Sequence, residues 1–512
     1  MHRLWNASLR EIPIALLALL AGSAWVSASP SISPSPAVTH PAGTFNVSGT
    51  GFGVTEAVDL YFDTTDEQLA VTDASGNFPN IPMPVSAAQV PGTHWVTAIG
   101  RHSGLAAQHV FTVRTDWSQF RFGATKRSFN PYENVLDPDN VNQLDLAWSI
   151  TTGSQILSSP TVFAGNVYVG SQDGKLYAVN ATTGATLWTA TTGGSIGLSS
   201  PAAAKGIVYV GSDDAKLYAF SSSTGAPVSG WPVTTGGPVE SSPVVANNVV
   251  YVGSNDHKLY GFNASNGASL PGWPVTTGGS VQSSPAVANG VVYVGSSDAK
   301  LYAFDAVTGA ALWTVTTGAS ILSSPTVWHG RVYVGSTDGK LYAIKAATGA
   351  TLWTAAIGSS IQSSPAVSMA RDGYTTLIFG TVDGYMEQVD ALTGDMFLAP
   401  TLGAGVYSSP AIANGVVFVG CHDYSLYALD ATDLFNTLWY SIDAKDHIGS
   451  SPAVANGMVY VGSNDHRLFA YALNAGGNSV YRNDRKAPVV SSLHPDLRLS
   501  PWKTDSSPQP TQ

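Results

Sequence analysis

A unit of about forty residues that recurs eight times predicts an all-β chain, an eight-bladed β-propeller preceded by a small β-sandwich. Two further observations point the same way. The composition favours short strands joined by tight turns, and a lone strand before the first unit supplies what the last unit lacks, so that an N-terminal strand closes the last blade.

The repeat is plain from Ser283 to Trp313, SSPAVANGVVYVGSSDAKLYAFDAVTGAALW. Its Ser-Ser-Pro element recurs with proline at Pro160, Pro201, Pro243, Pro285, Pro325, Pro365, Pro410 and Pro452, at separations of 41, 42, 42, 40, 40, 45 and 42 residues. Each unit divides into four strands. The first follows Ser-Ser-Pro, and a pair such as Asn-Gly turns the chain back into Val-Val-Tyr-Val-Gly, whose β-branched and aromatic residues suit a pleated surface. A turn containing Asp leads to Lys-Leu-Tyr-Ala-Phe, and a Thr-Gly turn leads to the fourth strand. Fourth strands are expected near Trp148, Trp188, Trp231, Trp273, Trp313, Trp353, Leu398 and Trp439. The unit at Pro452 loses the pattern after Ala470, whereas Leu146–Ile150 is a fourth strand without a unit. Pairing those two closes a ring and removes the exposed edges of an open array.

Charged residues are 11% of the 512, against roughly a quarter in average proteins. The formal charge is -11 with no Lys/Arg cluster, which excludes a partner bound through phosphate neutralisation, so no nucleic acid is expected. Arg3 and Arg10, the apolar run Ile12 to Val26 and Val26-Ser27-Ala28 read as a cleaved signal peptide over 1–28. The run falls short of the ~20 residues of a spanning helix, so no membrane span is expected after cleavage. No lipid-accepting cysteine follows, and a secreted or extracytoplasmic, monomeric chain is expected. Cys421 is the only cysteine, so packing rather than a disulfide must hold the fold.

Short alternating strands such as Val58–Phe62 and Val110–Val113 mark a module over 31–115. A lead-in covers 116–143 and the propeller 144–473, and a flexible Ser/Pro/Asn-rich tail covers 474–512. The module resembles the immunoglobulin-like domains of bacterial secreted proteins, without their cysteine pair, which implies a spacer or adhesive role.

Ala178–Gly184 through Trp188, and Ala303–Gly309 through Trp313, resemble the tryptophan-docking repeats of pyrroloquinoline-quinone (PQQ) type propellers. The resemblance extends from Trp117, where Trp117-Ser118-Gln119-Phe120-Arg121 is similar to the segment that precedes such propellers, to Leu473. It implies that Trp148, Trp188, Trp231, Trp273, Trp313, Trp353 and Trp439 dock between neighbouring blades. The family includes quinoprotein dehydrogenases, which hold PQQ with a Ca²⁺ ion, and non-catalytic outer-membrane assembly relatives. It therefore implies a fold more than a function. The adjacent-cysteine disulfide typical of the enzymes is impossible here, and no Cys-x-x-Cys-His haem motif is present.

An Asp recurs in each unit, at Asp173, Asp214, Asp256, Asp298, Asp338, Asp383, Asp423 and Asp465. An eightfold carboxylate reads as turn chemistry rather than as a metal set, because an active site breaks symmetry. Chemistry is expected where the units differ. The residue before Ser-Ser-Pro is Leu157, Leu198, Glu240, Gln282, Leu322, Gln362, Tyr407 and Gly449 in order, and the Asp turns add Asn255, His257, His422, Asn464 and His466. Glu240, Gln282, Gln362, Tyr407, Asn255, His257 and His422 are the candidate channel-face site for a cation or small polar ligand. The alternative at those positions is a tolerant, solvated loop. Cys421 stands where other units have Ser or Thr and reads as a small buried substitute. No hydrolase or nucleotide motif is present.

The sequence thus assembles no catalytic set, and the expected role is a binding or scaffold protein that takes a protein or small polar ligand on its propeller faces. A PQQ- and calcium-dependent dehydrogenase is the first alternative and a carbohydrate-binding surface protein the second.

Overall fold

The computed structural model describes residues 29–369 and 374–475. The predicted signal peptide (1–28) and nearly all of the predicted tail (474–512) lie outside the described residues. No described helix is long and apolar enough to cross a membrane. The chain divides into two compact units, one of residues up to Ala37 with Thr44–Pro84 and His94–Phe111, the other comprising Val38–Gly43, Val85–Thr93 and everything from Thr112 on.

In the smaller unit Ser31–Ser35, Thr44–Thr50 and Phe78–Pro84 form one antiparallel sheet. A second sheet sets Ala106–Val113, Gly92–Gly100, Ala57–Phe62 and Thr65–Val71 side by side. Alternation along Thr44–Thr50 buries Phe45 and Val47, and the Phe45 ring stacks on Phe111 of the other sheet at 4.0 Å. Two apolar faces thus meet over an aromatic core. Beside it lies Glu56, whose carboxylate accepts from the Ser103 hydroxyl (2.6 Å) and from the amides of Gly53, His102 and Ser103.

The larger unit is all-β. The repeats give eight antiparallel sheets: six of four strands, one of three, and one that gains Phe129–Asn130 as a fifth. The sheet at Pro285 shows the design. Ala286–Ala288, Val291–Gly295, Lys300–Asp305 and Ala311–Thr316 pair in sequence order, with Tyr293 opposite Ala303 and Tyr302 opposite Thr314. Asn289 and Gly290 both take positive φ (50° and 77°), the geometry of the tight turn their types favour. Second and third strands are buried on both faces because a sheet of the next unit packs on each side, which is why they read as near-continuous apolar runs. Fourth strands are the exposed outer edges.

The fourth strand differs from expectation in three units. After Trp231 and Trp273 it shrinks to Val233–Thr234 and Val275–Thr276, because Pro232 and Pro274 come next. Near Leu398 no regular strand forms. Ala366–Met369, Thr375–Gly380 and Met386–Asp390 make a three-stranded sheet, and only isolated bridges, Tyr385 with Thr401 and Val389 with Met396, stand in for the fourth. Pro400 in that stretch has no N–H to give a ladder, although its carbonyl accepts from Met386 (2.9 Å). Leu144–Thr151 pairs antiparallel with Arg467–Leu473, Ile150 opposite Leu468, and so completes the sheet of the last unit.

The Ser-Ser-Pro elements form an inner circuit. The amide of Ser159 donates to the Ser200 hydroxyl, Ser200 to Ser242, and so on through Ser284, Ser324, Ser364, Ser409 and Ser451 back to Ser159, every bond 2.9 or 3.0 Å. The other serine of each pair takes the amide of its own unit's glycine, as Ser283 does from Gly295 (3.1 Å), and several donate onward, as Ser283 does to the Ser323 carbonyl. Buried backbone at the ring centre needs such partners, and only a small hydroxyl supplies both roles there.

The tryptophans lie between units. Indole N–H groups of Trp148, Trp188, Trp313 and Trp439 donate to Ala181, Ser222, Ala346 and Leu144, each in a neighbouring blade. Trp353 packs against Gly394 of the following unit, while Trp231 and Trp273 fill inter-sheet clusters with Phe262 and Phe304. The indole nitrogens of these last three are buried without a hydrogen-bond partner, a difference the shared motif did not show.

Candidate functional site

The lead-in winds past one end of all eight first strands. Carbonyls of Trp117, Ser118, Ala124, Thr125, Arg127 and Ser128 accept from Val162, Ala203, Val287, Val327, Val367 and Ile412, while the Gln119 side chain serves Val245 and Thr115 serves Asn456. Each acceptor meets a residue after the unit's proline. The variable residues sit before the two serines, at the opposite end of the same strands.

There the structure makes two arcs. Gln282 Nε2 donates to Glu240 Oε2 at 2.5 Å, across neighbouring units. Asp213, in the Asp turn of the unit before, has its carboxyl pushed up by burial and by the Glu240 charge. The Asn255 backbone N–H is pinned by the Pro238 carbonyl (2.9 Å), and its side-chain Oδ1 is buried with no hydrogen-bond partner. The second arc is aromatic. Tyr407 stacks on His422 (4.3 Å), His422 on His447 (4.4 Å), and Tyr424 leans on His447 (5.2 Å). His447 Nδ1–H donates to the His422 carbonyl at 2.6 Å. Burial, and then His447, hold the His422 imidazole below its ordinary value. Asn464 Oδ1 is a further buried orphan. Glu240 and Gln282 belong to the third and fourth units of the serine circuit, Tyr407 to the seventh and Asn464 to the eighth, so the two arcs face each other across the ring.

Of the candidate residues, Glu240, Gln282 and Asn255 share one arc, and Tyr407 and His422 the other. Gln362 is half-buried at the equivalent position of the intervening sixth unit. His257 does not join them. It is exposed in a turn at φ 69°, and its carbonyl holds Thr277 at the next fourth strand. The two residues that flank the repeated Asp256 differ in burial, Asn255 being half-buried and His257 exposed. His447, Tyr424 and Asp213 were missed, though each was visible as a departure from its unit's pattern.

The repeated Asp carries turn chemistry. Asp298 accepts from the Tyr302 hydroxyl (2.5 Å), the Gly278 amide (3.0 Å) and the Lys300 amide (3.1 Å), so it ties the turn to its own third strand and to the preceding loop. Asp173, Asp214, Asp256, Asp338 and Asp423 repeat the tyrosine bond at 2.5 or 2.6 Å. Two units depart. Arg467 pairs with Asp465 at 2.5 Å, and Glu387 replaces the tyrosine beside Asp383, where burial and then the Asp383 charge push its carboxyl up to about 7. Cys421 is buried, and burial, with Asp423, pushes its thiol up to about 12, which leaves it inert.

Three family models match the chain. One described as the β-propeller domain of glucose/ethanol/alcohol dehydrogenase matches residues 117–278, one described as the β-propeller of beta-alanine-activating enzyme 202–439, and one described as outer membrane protein assembly factor BamB 395–499. The chain is a PQQ-type β-propeller. No curated protein matches it in sequence. Solved structures match the propeller in fold. A europium-containing methanol dehydrogenase is 14% identical at TM-score 0.60, over 70% of this chain and 98% of its own. BamB from Moraxella catarrhalis is 21% identical at TM-score 0.54, over 64% and 97%. A quinohemoprotein alcohol dehydrogenase from Pseudomonas putida HK5 is 16% identical at TM-score 0.59, over 75% and 84%. The propeller therefore shares its fold with both the enzymes and BamB.

The propeller's residues do not fit PQQ with Ca²⁺. The repeated carboxylates are bound into turns, and no three His, Cys, Asp or Glu side chains converge among the described residues. The tryptophans that could stack on a flat cofactor lie between blades instead.

Proposed function

We propose that the chain is an exported eight-bladed propeller that binds a small polar ligand at the ring end opposite the lead-in. The immunoglobulin-like module, on this reading, serves as a spacer. The observation that carries the proposal is the pairing of an acid–amide arc with an aromatic–imidazole arc across one ring. Glu240 and Asp213 offer negative charge, the orphaned oxygens of Asn255 and Asn464 call for donors, and Tyr407 and His422 offer ring faces. A ligand with N–H or O–H donors at one end and a flat or cyclic body at the other satisfies both sides. Export rests on Arg3, Arg10 and the apolar run that follows.

The test is a thermal-shift series on the mature protein with amines, monosaccharides, short peptides, and PQQ with and without Ca²⁺. A ligand that raises the melting temperature of the wild type but not of Glu240→Gln or Tyr407→Ala supports the reading. A shift that survives both substitutions places binding elsewhere. A one-to-one PQQ complex that requires Ca²⁺ replaces this reading with the dehydrogenase one.

A further inference from the structure

The lead-in buries two cations without an anion. Arg121 and Lys126 are 1% and 0% exposed. None of the ion pairs among the described residues includes either. Arg121 nonetheless spends four of its five N–H donors on neutral oxygens: Nε donates to Ser128 Oγ (2.9 Å), Nη1 to the Ser324 carbonyl (3.2 Å), and Nη2 to Thr326 Oγ1 (2.7 Å) and the Pro365 carbonyl. A guanidinium spreads its charge over a planar fork and tolerates such a cage. Lys126 has no such cage. Its Nζ donates to the Phe120 carbonyl (3.1 Å) and lies 5.3 Å from the Phe120 ring, one oxygen for three N–H donors.

The backbone around the pair is unusual as well. Arg121, Phe122, Lys126 and Ser128 all take left-handed φ, of 60°, 75°, 57° and 54°, within eight residues that contain one glycine. Non-glycine residues hold that conformation at a cost, and only where the surroundings fix it. The loop is thus held so as to place an ammonium and a guanidinium together in the interior, where uncompensated charge is expensive.

We propose that Arg121 and Lys126 form an internal site for one small monovalent inorganic anion of the halide class, held on the two unmatched N–H groups of Lys126. One negative charge is enough. It offsets the ammonium, while the guanidinium keeps its four oxygens. Full burial of both side chains selects a small ion over an organic carboxylate. The bound ion pins the inner turn of the lead-in to the units at Pro325 and Pro365, which Arg121 already bridges.

The test replaces sodium gluconate stepwise by sodium chloride at constant ionic strength and pH, with melting temperature read for the full chain, Lys126→Met and a surface control, Lys205→Met. The expected result is a saturable rise in the wild type and in Lys205→Met, and none in Lys126→Met. Equilibrium dialysis of the wild type against radioactive chloride should retain one ion per chain, displaced by bromide. That measurement decides the matter if Lys126→Met does not fold. An equal response in wild type and Lys126→Met, or no retained chloride, overturns the site and leaves Lys126 as a neutral buried amine.

Discussion

The phenol of Tyr302 and the carboxylate of Asp298 are 2.5 Å apart, and the same carboxylate reaches back to Gly278 in the loop that precedes the unit. One side chain therefore fixes a turn, a strand end and a loop. Tyr302→Phe removes the donor to a charged acceptor, and urea unfolding should show a loss of about 1–3 kcal/mol. Glu56 gives the opposite kind of information. Burial pushes its carboxyl up, but the Ser103 hydroxyl and the amides of Ser103, Gly53 and His102 outweigh that and hold it down at about 2. A carboxylate whose folded value lies below its unfolded value of 4.5 contributes stability above that pH and loses it as pH falls towards 2. Amide protection factors in strands Thr44–Thr50 and Ala106–Val113 should fall over that window in the wild type and change less in Glu56→Gln.

At the scale of the element, the sixth unit departs most from the repeat. Its fourth strand is reduced to bridges, and Glu387 takes the slot of a tyrosine in its third. The folded value of about 7 lies above the unfolded 4.5, so burying Glu387 costs nothing at low pH and progressively more as pH rises to 7. Glu387→Gln should match the wild type in urea at pH 4 and exceed it at pH 8, by up to roughly 3 kcal/mol. Glu387→Tyr should exceed it further by giving Asp383 the phenol its counterparts have. The Thr-Gly turns show a tighter constraint. Gly184 has φ 71°, and a Cβ there would lie 2.7 Å from the Trp148 ring. Gly184→Ala should cost on the order of 2–3 kcal/mol, from left-handed strain plus displacement of the indole.

For the whole molecule the question is closure. The serine circuit returns from Ser451 to Ser159, and Trp148 stands on the N-terminal strand that completes the last sheet. If that sheet is equivalent to its neighbours, Trp148→Ala should cost as much as Trp313→Ala, about 3–5 kcal/mol each, in a single transition. An open array would lose Trp148 at little cost by fraying one end.

The sequence by itself determined the repeat, its period, the strand order within a unit and the strand that closes the last sheet. These follow from local pattern: turn pairs, β-branched runs and a spacing that repeats whatever the surroundings. It also showed which positions break symmetry, Glu240, Gln282, Tyr407 and His422 among them. Tertiary structure alone decided which of those meet. Glu240 meets Gln282 across 42 positions of chain, whereas His257, one residue from the repeated Asp256, turns outward. Nor could local pattern reveal Arg121 and Lys126 as a pair, because a cation in a sequence looks the same exposed or buried. Its burial depends on eight first strands that close around the lead-in, and that depends on the ring.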